Sequence, residues 1–136
     1  MNQPLENTEG RTPLYELKVI SSIAAAHQLR GIEGKCEELH GHNWKVEVFV
    51  KGEELGADGL LIDFKWIKRA TKKVLQELDH KFLNELDFFE GLNPSSENLA
   101  RHILESLRKE LNQEDISVSK VTVWESDSAA ATFEPT

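Results

Sequence analysis

The sequence predicts an α+β fold in which two helices cover one face of a four-stranded antiparallel sheet. Two strand-like segments come first, two amphipathic helical segments follow, and two more strands end the chain, in the order ββααββ. A length of 136 residues is enough for one domain with its own hydrophobic core. We expect a flexible, polar lead-in over residues 1–13 and a single folded domain over residues 14–136.

The first two strands are predicted from alternating hydrophobicity. In residues 43–51 the apolar side chains on one face are Trp44, Val46, Val48 and Val50. A period of two is typical of a strand with one buried face. Residues 14–23 alternate more loosely but are rich in β-branched side chains, which also favours a strand.

The last segment, ISVSKVTVWESDSAAATFEP, predicts two strands joined by a turn near Asp127-Ser128. Alternation predicts two faces for the first of them, one with Val121 and Val123 and the other with Val118, Thr122 and Trp124. A four-stranded sheet of this kind keeps two free edges, which invite pairing between subunits. We therefore expect a homo-oligomer.

Two segments have the apolar spacing of amphipathic helices. The first covers about residues 64–78, with Asp63 as its N-cap, and its apolar face consists of Ile67, Ala70, Val74 and Leu78. The second covers about residues 94–112, with Pro94 in its first turn and Glu97 near the positive end of the helix dipole. Its apolar face consists of Leu99, Ile103, Leu107 and Leu111.

Composition excludes several classes of protein. The formal net charge is −8, and no basic stripe is present, which argues against nucleic-acid binding. No window approaches the roughly 18 apolar residues of a membrane span, so we expect no membrane partner. The single cysteine has no partner within the chain for a disulfide, which favours a reducing, cytoplasmic setting.

Histidines predict a metal site. His40 and His42 are two residues apart at the entrance to a strand, so their side chains point to the same face. If the first two strands pair antiparallel, His27 at the end of the first strand lies beside them. Three histidines with an open fourth position are a common zinc arrangement. The alternative is structural or surface histidines, and His102, on its helix, is predicted to be one of these.

Other candidate residues have equally ordinary alternatives. Cys36 is either a small buried side chain or a reactive thiolate. Its polar neighbours are untypical of a core, and a nearby dication and Lys35 favour the thiolate. Asp79 could orient His80, or His80 could simply follow a helix C-terminus. Glu125 at the end of a strand is either an exposed charge or the acceptor for a guanidine-like pair of donors.

Five short motifs, AAAH, C-x3-HGHN, LDHKFLN, NPSSEN and VWE, occur in an order that resembles the 6-pyruvoyltetrahydropterin synthase family, over about residues 15–134. The three-residue gap between the cysteine and the first histidine of CEELHGH is similar to the spacing in one branch of the family, the branch that makes 6-carboxy-5,6,7,8-tetrahydropterin. Ile23 departs from the pattern, because the family commonly has an aromatic residue near this point. That change should affect only local packing and leaves His27 in place.

The resemblance implies a T-fold and a homohexamer of two stacked trimers, with active sites between subunits. It implies a zinc ion held by three ligands, namely His27, His40 and His42. It also implies a general base, Cys36, and a dyad that relays or donates protons, Asp79 and His80. The residues implied to bind the pterin substrate are Glu125, Ser95 and Ser96, with Glu97 in the same motif.

The implied reaction converts 7,8-dihydroneopterin triphosphate to 6-carboxy-5,6,7,8-tetrahydropterin, with release of acetaldehyde and triphosphate, in queuosine biosynthesis. Two alternatives remain: a pyruvoyl-type synthase that only eliminates triphosphate, and a non-catalytic domain that binds pterin or zinc. The candidate cations for the triphosphate are Arg30, Lys35 and Lys81.

Overall fold

The fold is a sheet with helices on one face, seen in a computed structural model that describes residues 14–31, 38–111 and 113–135. The strands are β1 (Tyr15–His27), β2 (His40–Gly52), β3 (Lys81–Phe82), β4 (Ile116–Ser126) and β5 (Ala129–Phe133). The helices are α1 (Phe64–Gln76) and α2 (Ser96–Glu110), and two short 3₁₀ turns, Leu83–Glu85 and Asp87–Phe89, lie between β3 and α2. The predicted lead-in over residues 1–13 and the predicted base Cys36 lie outside the described residues.

The sheet has five strands in the order β3-β1-β2-β4-β5, so the prediction of four strands in the order ββααββ is wrong. The additional strand is Lys81–Phe82, which follows α1 and precedes α2 in the chain. It pairs in parallel with Ala25 and Ala26 of β1. All other pairings are antiparallel. A strand of two residues is too short for any periodicity, which is why the sequence pattern gave no signal for it.

β1 and β2 form a long antiparallel ladder that decides where the histidines lie. The two 13-residue strands pair from Tyr15 opposite Gly52 to His27 opposite His40. Both strands are longer than predicted, and both extend as far as the histidines. The expected pairing of the first two strands is confirmed.

The hydrophobic core lies between the sheet and the two helices. The four apolar side chains predicted on one face of β2 are fully buried: Trp44, Val46, Val48 and Val50. The helices bury the stripes that their spacing predicts, with Ile67 of α1 and Leu99, Ile103 and Leu107 of α2 all at 0% exposure. Burial of such side chains contributes roughly 1.5–3 kcal/mol each to folding.

Side-chain caps fix where both helices begin. The carboxylate of Asp63 accepts a hydrogen bond from the Lys65 amide at 2.9 Å, as the N-cap prediction requires. The second helix begins at Ser96, with Ser95 as the N-cap, so Pro94 precedes the helix and is not part of its first turn. This difference matters because it leaves the Pro94 carbonyl free to face the end of β1.

The predicted faces of β4 need one correction. Val118 is buried in the core together with Val121 and Val123, although strict alternation predicts it on the opposite face. The register of β4 against β2 shifts between Phe49 and Val50, which adds one residue to the β4 side of the ladder. A bulge of this kind reverses the face of every residue beyond it.

The face of the sheet away from the helices carries charged and aromatic side chains. Glu47, only 8% exposed, accepts a hydrogen bond from the Trp124 indole and lies 3.2 Å from Lys18 Nζ. Burial raises the pKa of Glu47, but the hydrogen bond from Trp124 and the charge of Lys18 outweigh it, so the pKa lies below the usual value. The ammonium of Lys45 lies over the Trp124 ring, with Nζ 4.6 Å from the ring centroid. These contacts hold Trp124 on this face.

Neither α-helix of the described chain is long and apolar enough to cross a membrane.

His102 is a residue of α2 whose side chain packs against neighbouring aromatic rings, as a structural side chain does. Its ring stacks on Phe88 with 3.8 Å between centroids, and its Nε2 atom is buried without a hydrogen-bond partner among the described residues. Burial lowers the pKa of His102, and the carboxylates of Glu77 and Glu105 offset this only in part. The unfolded chain therefore binds this proton more readily than the folded chain does.

We predict that His102 makes the protein less stable in mild acid. The depressed pKa costs nothing above pH ~6.5, the ordinary histidine value, and destabilises the folded state as the pH falls below it. In urea unfolding at pH 7.5 and 5.5, the original chain should lose more stability than His102→Phe, which keeps the stack but cannot ionise. Equal losses in the two chains would contradict this role.

Candidate metal centre and active site

Three histidine side chains converge at the end of the β1–β2 ladder. The register places His27 opposite His40 and Ala25 opposite His42, so all three imidazoles project to the helix side of the sheet. The Nε2 atoms of His27 and His40 are 3.0 Å apart, and the His42 ring centroid lies 5.1 Å from that of His27. The sequence prediction that these residues meet is therefore supported by their geometry.

Backbone carbonyls fix the tautomers of two of these rings. His27 Nδ1 lies 2.8 Å from the Pro94 carbonyl oxygen, and His40 Nδ1 lies 2.8 Å from that of Glu38. A carbonyl oxygen only accepts, so Nδ1 carries the hydrogen, and in the neutral form of each ring Nε2 carries a lone pair. An outer-shell hydrogen bond of this kind is typical of metal-binding histidines. Two lone pairs 3.0 Å apart repel each other, and a cation shared between them reverses the sign of that interaction.

Glu125 completes the group with a carboxylate. Its Oε1 atom lies 2.8 Å from His42 Nε2, 3.5 Å from His27 Nε2 and 3.9 Å from His40 Nε2. The one potential ligand atom of each residue lies within 4.8 Å of all the others. These four residues could hold a metal ion, and three imidazoles with one carboxylate suit a borderline divalent metal such as zinc.

The buried His42 nitrogen tests whether this group fits a metal. His42 Nε2 is close to Glu125 Oε1 but lacks the geometry of a hydrogen bond, and it has no other partner among the described residues. Two close atoms that are not aligned for proton sharing fit two ligands of one cation. Burial lowers the pKa of His42, with smaller effects of the same sign from His40 and His27, while the charge of Glu125 acts in the opposite direction. The net effect favours the neutral imidazole that a metal requires.

Glu125 reaches the histidines because of strand alternation in β4. Trp124 pairs with Lys45 and projects to the face away from the helices, so the next side chain projects to the helix side. The family resemblance predicts Glu125 as an acceptor for the pterin, and nothing in the sequence pattern predicts its place among the histidines. The available signal was the antiparallel pairing of the VWE strand with the HGH strand, which brings the end of one to the start of the other.

Trp44 supports the rings from the core side. Its indole donates to the Ala25 carbonyl at 3.1 Å, and its ring lies 5.0 Å from both His27 and His42 in edge-to-face contacts. Trp44 is fully buried, so the imidazoles rest on a rigid apolar surface.

The NPSSEN residues lie at the start of α2. Ser95 is the N-cap and accepts a hydrogen bond from the Asn98 amide at 3.2 Å. Ser96 Oγ lies 3.5 Å from Glu125 Oε2, so it contacts the carboxylate of the metal group. Glu97 is exposed in the first helical turn. Of the predicted substrate-binding residues, the structure brings Ser96 and Glu125 together.

Asp79 and His80 lie in the turn after α1 and are attached to the outer edge of β1. Asp79 Oδ1 accepts from the Ala24 amide at 2.9 Å, and the His80 amide donates to the Ala24 carbonyl at 2.6 Å. Asp79 Oδ2 is 3.5 Å from His80 Nε2, and the His80 side chain is 81% exposed. His80 has a left-handed backbone, with φ of 59°. The two side chains therefore lie close to each other, and the imidazole is exposed.

A surface depression of about 510 Å³ is lined by His80 of this pair and, of the three converging histidines, by His42. Its lining also includes Asn43 and Lys81. Of the predicted cations for the triphosphate, Lys81 lines this depression and Arg30 is exposed. Cys36 and Lys35 lie outside the described residues.

Comparison with known proteins identifies the family of this chain. Residues 16–136 match the family described as 6-pyruvoyl tetrahydropterin synthase. The chain belongs to this family. The match confirms the family predicted from the five motifs.

Relatives in the family carry more than one activity in their names. The dihydroneopterin monophosphate aldolase of Pyrococcus furiosus is 39% identical over 105 residues, which cover 77% of this chain and 84% of that protein. The 6-carboxy-5,6,7,8-tetrahydropterin synthase of Haemophilus influenzae is 29% identical over an alignment that covers 89% of this chain and 99% of that protein. This chain is thus an enzyme of pterin biosynthesis, similar to lyases of the 6-carboxytetrahydropterin synthase type.

A solved relative confirms the fold. The structure of the Caenorhabditis elegans 6-pyruvoyl tetrahydropterin synthase superposes with a TM-score of 0.81 at 27% sequence identity, covering 93% of this chain and 99% of that one. The α+β arrangement predicted from the sequence is therefore correct, apart from the fifth strand.

We predict that His27, His40 and His42 are required for binding of one divalent metal ion per chain. His42→Ala should raise the Kd for Zn²⁺ by more than the roughly 10–100-fold that loss of an outer-shell partner causes, because a direct ligand is removed. Competition with a chromophoric chelator measures this Kd. His102→Phe removes a histidine outside the group and should leave the Kd unchanged. Equal Kd values for the two variants would contradict the assignment.

Proposed function

We propose that this chain is a zinc-dependent 6-carboxy-5,6,7,8-tetrahydropterin synthase. The reaction consumes 7,8-dihydroneopterin triphosphate and water, and it releases acetaldehyde and triphosphate. The observation that carries the proposal is the convergence of three histidines and Glu125 beside the HGH motif. The three-residue spacer between Cys36 and His40 supports the carboxy product over the pyruvoyl product.

Zinc fits the donor set better than magnesium or calcium, which prefer oxygen ligands only. When bound, it supplies Lewis acidity to hydroxyl oxygens of the substrate side chain. The protein's contribution is to hold three neutral imidazoles with their lone pairs directed at one point. The Pro94 and Glu38 carbonyls do this for His27 and His40.

Proton transfer is assigned to three residues of the chain. Cys36, four residues before His40 in the sequence, takes a proton from a side-chain carbon of the substrate. His80 returns a proton, and Asp79 orients its ring, with 3.5 Å between Oδ2 and Nε2. The Asp79 oxygen that binds the Ala24 amide keeps this carboxylate in place.

Substrate recognition is assigned to the start of α2 and the end of β4. Ser96 offers a hydroxyl group beside Glu125 of the metal group. Ser95 and Glu97 are assigned from the NPSSEN motif. Glu125 has two possible duties, as a metal ligand or as the acceptor for two pterin N–H groups. Its 2.8 Å approach to His42 favours the first in the absence of substrate.

We further propose that the active enzyme is a homohexamer with sites between subunits. Within the described residues, β1 from Tyr15 to Ile23 and the whole of β5 each have one unpaired edge. Pairing of these edges between copies closes a ring of sheets and removes the free edges. The exposed His80 can then serve the metal group of a neighbouring copy. A cytoplasmic location and the absence of a nucleic-acid partner remain predictions.

A second candidate function is the cleavage of dihydroneopterin monophosphate. The observation in its favour is the 39% identity to an enzyme named as the aldolase for that compound. Aldol cleavage would leave the phosphate ester intact and release glycolaldehyde phosphate. A pyruvoyl-type synthase would release triphosphate without acetaldehyde, and a non-catalytic domain would release neither.

We predict that the zinc-loaded protein releases acetaldehyde and triphosphate in a 1:1 ratio from 7,8-dihydroneopterin triphosphate. Alcohol dehydrogenase with NADH quantifies the acetaldehyde, and mass spectrometry identifies the pterin. Parallel incubation with the monophosphate tests for glycolaldehyde phosphate. Triphosphate without acetaldehyde would assign the pyruvoyl reaction and exclude the carboxy product.

We also predict that Cys36→Ala loses turnover but keeps the metal. Removal of a general base lowers kcat by about 10²–10⁴-fold. The Kd for Zn²⁺ should stay within about twofold, because Cys36 is not assigned as a ligand. Cys36→Ser, which keeps the size of the side chain, is the matched control for packing. Full turnover by Cys36→Ala would exclude Cys36 as the base.

A further inference from the structure

From Ala24 onward, the edge of β1 that faces away from β2 has hydrogen-bond partners for its backbone. These partners continue past His27, the last residue of the strand. At Ala24 the partners are the Asp79 carboxylate and the His80 amide. At Ala26 the partner is β3. Backbone groups of every second residue face the same edge of a strand, so the next positions on this edge are Gln28 and Arg30.

Two asparagine side chains occupy those next positions. Asn84 Oδ1 accepts from the Gln28 amide at 2.8 Å, and its Nδ2 donates to the Gln28 carbonyl at 2.7 Å. Asn93 makes the same pair of bonds to Arg30, each at 2.8 Å. Each carboxamide thus replaces one peptide group of a neighbouring strand. Only an amide side chain offers a donor and an acceptor in this planar arrangement.

His27 lies between the part of this edge that pairs with β3 and the part that is bonded by asparagine side chains. Its backbone follows Ala26, which pairs with β3, and precedes Gln28, which Asn84 holds. Its ring is held by the carbonyl of Pro94, the residue after Asn93. Asn93 is itself held from α2, because Asn98 Nδ2 donates to the Asn93 carbonyl at 2.8 Å. Backbone and ring of His27 are therefore set by one connected group of hydrogen bonds.

We propose that Asn84 and Asn93 are positioning residues of the metal centre, acting through the backbone of residues 28 and 30 to set the place of His27 Nε2. This inference rests on the metal centre of the proposed function. His27 is the ligand that these bonds can support, because it directly precedes Gln28 and its ring is held by the residue after Asn93. Its Nε2 must also stay 3.0 Å from that of His40.

The test measures metal affinity and metal geometry rather than turnover. In Asn84→Ala and Asn93→Ala we expect the Kd for Zn²⁺ to rise about tenfold each, the lower end of outer-shell effects. In Co²⁺-loaded protein at saturation, we expect the visible d–d bands to shift or lose intensity, because the geometry of the His27 ligand changes. Asn84→Asp and Asn93→Asp keep the acceptor but place a carboxylate oxygen against the Gln28 or Arg30 carbonyl, and should also raise the Kd.

Thr71→Ala is the control for lost stability alone. The Thr71 hydroxyl is buried and donates only within α1, to the Ile67 carbonyl at 2.7 Å. This variant should unfold at a lower temperature with an unchanged Kd and an unchanged Co²⁺ spectrum. If an alanine variant does not fold, the aspartate variants carry the same comparison.

The outcomes separate this inference from the proposed function. Binding by the original chain together with unchanged Kd values and spectra in all four asparagine variants would overturn the positioning role and leave the metal centre intact. Failure of the original chain to bind Zn²⁺ or Co²⁺ would overturn the metal centre and this inference with it. Weaker binding and an altered spectrum in the asparagine variants, but not in Thr71→Ala, is the result we expect.

Discussion

The register between β1 and β2 is the constraint on which the rest of the structure depends. A shift of one residue would turn the apolar face of β2 to the wrong side and separate His27 from His40. The fully buried Val46 and Val48 oppose such a shift, because it would expose them. Burial of these apolar side chains therefore keeps the two strands in the register that brings the ligands together.

Alternation carries this order from the core to the chemistry. On β4, Trp124 contacts Glu47 on one face, and Glu125 projects to the other, where the histidines are. The chain has a net charge of −8, and this carboxylate adds a local negative charge that attracts a cation to the histidines.

Much of the site could be predicted because its main feature is local. His40 and His42 are two residues apart, and any strand places such a pair on one face. His27 required only the assumption that neighbouring strands pair antiparallel. The five family motifs added the roles of the dyad and of Cys36, which spacing alone left open.

The features that the sequence did not predict depend on contacts between distant segments. β3 has two residues and exists only because β1 offers a partner. The place of Val118 depends on a bulge set by packing against β2. Asn84 and Asn93 bond to residues 56 and 63 positions away. No window of sequence contains both halves of such a contact.

The attachment of Asp79 and His80 to Ala24 has a consequence for how this region can change. The same two residues that are assigned to proton transfer also cover backbone groups on a strand edge. An uncovered edge is a template for aggregation. Selection for solubility and selection for activity therefore act on one turn together. Although His80 is 81% exposed, its position should tolerate far less sequence drift than an ordinary surface residue.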